Sequence, residues 1–480
     1  MREQIAEKNS SFETKRESVG FDNSKQSATN NALNIALIIF LALIPIPFGS
    51  NRPVFWALSA LVISIIALVY FTSLMLRKSQ FRYSLTRLKP SLVLFLILLG
   101  YIVVQIIPFG TWLSPININI DDLIISSKSL SLTPTMSLLS LIQFASYGLL
   151  FFLVLQLSYN FERAQLLLIW IFILTLIYAA YSIFALTQLN DPILFMEKWA
   201  YNNVATATFV NRNSFATFLA FGLVIGSAFC MNSLSPDNNQ IAHKKSLFSF
   251  WLYFLGVIII IAALLTTQSR MGVFAGITGS LITLLLIISK TLKSKKLVLL
   301  FSIFGIIAMS VLILLYGDGL VERLSYVESS ADGRLSLYLQ IVKMIAERPF
   351  TGYGAGSFEL AFPLFHQLPV SPDVVWDKAH NTYLALWSEL GIFFGSIPII
   401  IIIIFGFSAW RIYIFSQRRW LYSAISLGAI SVGFIHSFVD FSLEIQAVAY
   451  LFVTILAIGI SGASRSTSSA DKLSMSKEND

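Results

Sequence analysis

The chain is built from apolar runs long enough to cross a lipid bilayer, and that fact narrows its fold more than any other. They fall near 33–49, 54–74, 91–108, 138–157, 166–187 and 213–232, then near 250–267, 271–289, 297–315, 384–409, 421–438 and 444–461. A helix of about 20 apolar residues crosses the hydrocarbon layer, and it satisfies its own backbone there. The expectation is an all-α integral membrane fold with about 12 transmembrane helices. Composition agrees: 56% of residues are hydrophobic and 12% are charged, against roughly 45–50% and 25% in soluble domains. No water-soluble fold of this length hides such a surplus.

Lysines and arginines set the orientation, because they accumulate in cytoplasmic loops. With the N-terminus inside, one set of loops holds fifteen of them, among them Arg77, Lys78, Arg163, Lys293 and Arg419; the other short loops hold five: Arg52, Lys128, Lys198, Arg212 and Arg270. Topology thus accounts for the net charge of +8 without invoking nucleic acid. The domain reading is a disordered cytoplasmic tail over 1–32, helices 1–9 over 33–315, a large periplasmic loop over 316–383, helices 10–12 over 384–461, and a cytoplasmic tail over 462–480. Both termini lie inside. The first apolar run has no small-residue cleavage site and reads as a retained span. In the long loop, Leu335, Tyr338, Leu339, Val342 and Ile345 recur at helical spacing, and TGYGAGSF follows with glycines 352, 354 and 356 in a tight turn.

Charge beside a membrane span is costly, so the few such residues are informative. Arg212 (in TFVNRNSFA), Arg270 (in TTQSRMG) and Arg334 (in ADGRLSLY) lie on the side that the charge bias depletes. Each could simply reach for lipid headgroups. Their amide and hydroxyl neighbours favour a ligand, and a planar guanidinium matches phosphate oxygens two at a time. His380, in DKAHNTYLALWSELG, directly precedes an apolar run; an imidazole there is suited to take a proton from an attacking hydroxyl. His436 and Asp440 are four residues apart, which predicts one helix face and a His–Asp pair. His243 and His366 read as ordinary loop residues. The lone Cys230 permits neither a disulfide nor a thiolate metal site within one chain. There is no phosphate loop, no zinc motif and no Asp-x-Asp pair, so no cofactor and no metal are expected.

The set TFVNRNSFA, LTTQSRMG, GRLSLYLQIVKMIAERPFTGYGAGSF, AHNTYLALWSELGIFFG and FIHSFVDFSLEIQA, with IPIPFGSNRP ahead of it, resembles the O-antigen ligase and polymerase superfamily over residues 35–460. The resemblance implies a GT-C-type glycosyltransferase of the bacterial inner membrane, metal-independent and inverting. Its donor would be a glycan on undecaprenyl diphosphate, and its acceptor lipid A core or a second lipid-linked glycan, both handled on the periplasmic face. Carried over, Arg212 and Arg270 hold the donor diphosphate, His380 is the base, and Asn381 orients the histidine or the acceptor. Arg334, Tyr383, His436 and Asp440 are further candidates. The motif's second glycine comes at Gly395, one residue later than in the usual ligase pattern, so ligase and polymerase both stand as readings. A lipid-linked oligosaccharide flippase is the alternative of another class.

Overall fold

The computed structural model describes residues 26–110, 117–120, 123–234, 240–291, 331–373 and 375–461. Helix α1 covers Gln26–Leu43, α2 Pro53–Leu76, α3 Lys89–Ile106, α4 Pro134–Leu157 and α5 Phe161–Gln188. Helices α6 (Arg212–Ser233), α7 (Gln240–Thr266) and α8 (Arg270–Thr291) follow. After the loop helix α9 (Ala331–Glu347) come α10 (Thr382–Gly395), α11 (Ile397–Phe415), α12 (Trp420–His436) and α13 (Gln446–Ile460). Among the described residues, nine helices are long and apolar enough to cross a membrane, and α12 and α13 are shorter apolar helices. The protein is a multi-pass membrane protein. The run at 297–315 and the start of the long loop lie outside the described residues.

Local chemistry explains where the helices begin. Proline, whose missing N–H costs nothing in a first turn, stands at or next to the start of α2, α3, α4 and α11. Asparagine side chains cap α5, α6 and α10, from Asn160, Asn211 and Asn381; each such cap stabilises a helix by about 1 kcal/mol. At the centre of the bundle stands α6, with 89% of its span buried, whereas α3 and α7 bury only 22%. It packs against α5, α7, α8, α12 and α13, so its N-terminal end is held on several sides.

Three expectations need correction. Helix α1 starts at Gln26, inside the segment read as a tail. Its polar residues are accommodated there: Gln26 donates to Asn30 at 3.1 Å and accepts from Ser73 of α2 at 3.1 Å. The all-α expectation holds, with one short hairpin between α3 and α4 in which Asn117–Ile120 pairs antiparallel with Leu123–Ser126. The run at 384–409 is broken, since Gly391 has φ 76° and ψ 162°. Gly391 has no Cβ to clash with the Phe350 carbonyl, which would lie 2.3 Å from one, and the Ile392 amide donates to Pro349 at 2.7 Å. Finally, α9 buries Leu337, Ile341 and Met344 while Leu335, Leu339 and Val342 are exposed. This helix is apolar on two sides, and the face turned inward is the one that meets Phe358, Phe362 and Ala385.

A buried glutamine closes the break in the α10–α11 region. Gln105 of α3 is fully buried; it donates to Thr351 at 2.9 Å and to Glu389 at 3.0 Å, and accepts from the Ala355 amide at 3.0 Å. The glycine turn completes the seam, with Tyr353 and Gly354 amides donating to Ser388 and Glu389 at 2.9 Å each. Irregular backbone at membrane depth persists only where such partners exist. The seam fixes the C-terminal part of α10, the helix that His380 precedes.

Candidate active site

Three helix ends meet around Asp440. The turn after α12 brings it in; α6 contributes Asn213, and the α7–α8 turn contributes Ser269. Asn213 donates to Asp440 Oδ1 at 3.0 Å and accepts from Ser269 Oγ at 2.8 Å. These are the chain neighbours of Arg212 and Arg270, so the network ties together the N-termini of α6 and α8 that carry the two arginines. Positive helix ends add to the cationic field. Among the described residues neither Arg212, Arg270 nor Arg334 has an ion pair. The Arg212 Nε is buried without a hydrogen-bond partner, and its guanidinium lies 5.5 Å from the Tyr201 ring centre. Arg270 is exposed.

Tyr201 belongs to a loop that folds over the start of α6. Buried Lys198 ties it down, 2.8 Å from Asp191, whose other oxygen accepts from the Asn203 amide at 2.8 Å.

His380 stands in the left-handed region at φ 52°, an uncommon backbone for a residue with a side chain. Surrounding bonds hold it there. The Tyr338 hydroxyl of α9 donates to its carbonyl at 2.7 Å, and two residues earlier Lys378 pairs with Glu444 at 3.1 Å. Just after it, Thr382 bonds through its amide to Ser437 and through its hydroxyl to the Asp440 carbonyl, at 3.0 and 3.1 Å. The ring lies edge-on to Phe441 and Trp376, at 5.0 and 5.9 Å, and its Nδ1 is buried with no partner. Burial lowers its pKa from the ordinary 6.5; Asp440 opposes that shift, and Arg334 adds to it. The imidazole is therefore neutral at pH 7 and able to accept a proton.

Asn381 is engaged elsewhere. Its carbonyl oxygen caps α10 by accepting from the Tyr383 and Leu384 amides at 3.0 Å each, and its amide donates to Phe438 at 2.8 Å. It fixes the backbone beside His380, and among the described residues its side chain bonds to backbone groups and not to the ring. Tyr383 turns toward α12, donating to the Phe434 carbonyl at 2.9 Å. The structure does not put it with the arginines.

The expected His436–Asp440 helix-face pair is not formed. Helix α12 ends at His436, so Asp440 lies in the turn beyond, outside the periodicity that would align them. The Ser442 hydroxyl links them: it donates to Asp440 Oδ2 and lies 3.4 Å from His436 Nδ1. His436 Nδ1 is also 2.5 Å from the Thr217 hydroxyl, which makes it a buried strut between α6 and α12. His366 lies beside Val370 within the loop, 3.0 Å from its carbonyl. Side chains missed from sequence are Gln105, Asn213, Ser269, Tyr338 and the Lys378–Glu444 pair. Gln105 did carry a signal, as the one polar residue in YIVVQIIP.

Comparison with known proteins bears on the same region. Residues 255–397 match the family model described as O-antigen ligase, a stretch holding Arg270, Arg334, His380 and Asn381. A general O-oligosaccharyltransferase of Acinetobacter baylyi (strain ATCC 33305 / BD413 / ADP1) is 24% identical over 329 residues, which is 62% of this chain and 52% of that protein. The chain spans about half the length of the curated relative it matches.

Proposed function

With the O-antigen ligase match as premise, we propose that the protein is a glycosyltransferase of the inner membrane that moves a glycan from undecaprenyl diphosphate to an acceptor hydroxyl on the periplasmic face. The observation that carries this is a neutral His380 imidazole whose Nδ1 has no hydrogen-bond partner among the described residues, beside an Asp440 network whose neighbouring arginines have no counter-ion among them. Arginines in that state suit a ligand that brings its own negative charge, and a diphosphate does. In this reading the architecture is of the GT-C type, and the 316–383 loop caps the site.

In the reaction, Arg212 and Arg270 hold the donor diphosphate, and Arg334 adds positive charge beside it. The acceptor hydroxyl gives its proton to the His380 imidazole as its oxygen bonds to the anomeric carbon. The bond from that carbon to the diphosphate oxygen breaks, and the electron pair leaves with the lipid diphosphate, whose charge the arginines stabilise. Attack from the face opposite the leaving group inverts the anomeric centre. Asp440 stabilises the imidazolium that results, and Asn381 and Tyr338 keep the histidine in place. The leaving group is already activated, so the reaction draws on neither ATP nor, in this reading, a metal.

A surface-glycan gel of a deletion strain, complemented with wild type or His380→Ala, tests the proposal. Polymerised glycan that stays on its carrier and never reaches lipid A core identifies a ligase. A core capped by one repeat unit, with the ladder gone, identifies a polymerase. A gel unchanged by deletion overturns both assignments and turns attention to transport.

A further inference from the structure

A cavity of about 740 Å³ runs between α2, α3, α4 and the α10–α13 group, and the catalytic proposal does not use it. Its walls are almost wholly apolar, with Phe95, Phe144, Phe151, Leu155, Ile402 and Phe452 among them. That volume falls within the roughly 300–1,000 Å³ of sites that enclose most of a small ligand. Its polar end reaches the His380 segment: Lys378, Thr382, Glu389 and Glu444 line it, whereas Arg212, Arg270 and Arg334 do not.

The hydrogen-bonding state of that end restricts what fits. Glu389 accepts from the Phe358 amide at 3.2 Å. Glu444 gives one oxygen to Lys378 at 3.1 Å, but its other oxygen, Oε1, is buried with no partner. A lone carboxylate oxygen calls for a donor. Diphosphate oxygens only accept, so they cannot satisfy it. A sugar hydroxyl both donates and accepts: it can donate to Glu444 while accepting from the remaining N–H groups of Lys378.

We propose that this cavity holds the hydrocarbon chain of a lipid-borne acceptor, whose hydroxylated head is read by Glu444 and Lys378 before it reaches His380. The proposal rests on the reading above in placing the donor diphosphate at the arginines. Donor and acceptor then approach His380 from different sides.

Photolabelling in lipid nanodiscs tests it with two probes, a photoreactive alkyl glucoside and a photoreactive farnesyl diphosphate. The cavity is filled by Ile402→Trp and separately by Leu92→Trp, the latter at a wall position 38% exposed, where a larger ring does not crowd the core. Each substitution is expected to reduce glucoside labelling about tenfold and leave diphosphate labelling unchanged; Arg212→Ala and Arg270→Ala do the reverse. Loss of diphosphate labelling alone on filling the cavity would make it the donor's tail channel and overturn the proposal. Labelling by both probes unchanged on filling would mean that bulk bilayer lipid occupies the crevice, which also overturns it. Diphosphate labelling that survives the arginine substitutions removes the donor reading instead, while the glucoside arm still decides the cavity.

Discussion

Two groups of arginines in this protein are treated in opposite ways. At the C-terminal end of α4, Arg163 donates to the Leu157 carbonyl at 2.9 Å and to Asn31 at 3.1 Å. Arg419 donates to the Ser158 carbonyl at 2.8 Å, to Ser461 Oγ at 2.9 Å, and to the Tyr159 carbonyl. Both close the negative end of a helix, where a cation is favoured. Arg212 and Arg270 instead stand at the positive N-terminal ends of α6 and α8, where a cation is disfavoured, and have no carboxylate partner among the described residues. The first pair holds the fold together. The second is in a costly position that an anionic ligand would relieve.

Substitutions should separate the two groups. The largest effect is expected from Arg212→Ala, which should lower transfer at least about 100-fold, or roughly 2.7 kcal/mol, while membrane abundance stays near wild type. Arg163→Ala should do the opposite, lowering abundance and thermal stability because the Leu157 carbonyl loses its 2.9 Å donor and Asn31 loses its tie to α5, at about 0.5–1.5 kcal/mol per bond. Blotting and transfer assays on both variants check this pair. If Arg212→Ala lowers abundance as Arg163→Ala does, the distinction collapses.

A comparable loss of stability is expected from Gln105→Leu, which keeps the helix apolar but leaves the Thr351 and Glu389 carbonyls and the Ala355 amide short of a partner. Thermal unfolding in detergent checks it, with a drop in Tm expected along with loss of transfer. The next effect concerns pH. His380 is buried and its pKa lies below 6.5, so the neutral, proton-accepting form persists as pH falls through 6.5. Transfer by wild type should therefore fail only at lower pH. Asp440 raises that pKa, so Asp440→Asn should move the acid limb further down while lowering the rate. A limb that moves up contradicts the assignment. The smallest effect is expected from Tyr338→Phe, which removes one hydroxyl bond to the His380 carbonyl: kcat should fall a few-fold with KM unchanged.

The membrane class was legible because apolar runs are local and long. Arg212, Arg270 and His380 stood out because charge or imidazole beside an apolar run is rare. What sequence could not show were contacts between distant parts. The break at Gly391 depends on the Phe350 backbone some forty residues away. The role of Gln105 depends on carbonyls at 351 and 389. His436 and Asp440 misled because four-residue spacing aligns side chains only while a helix continues, and α12 stops at His436. Asn381 is legible as the cap of α10, and its bonds to the Tyr383 and Leu384 amides and to Phe438 hold the backbone beside His380.

The most direct test is transfer by purified protein from a synthetic undecaprenyl-diphosphate glycan, comparing wild type with His380→Ala at equal amounts of folded protein. The account predicts that wild type releases undecaprenyl diphosphate as glycan reaches the acceptor, and that His380→Ala binds the donor but releases none. Transfer by His380→Ala at the wild-type rate would contradict it and remove the histidine from the role of base.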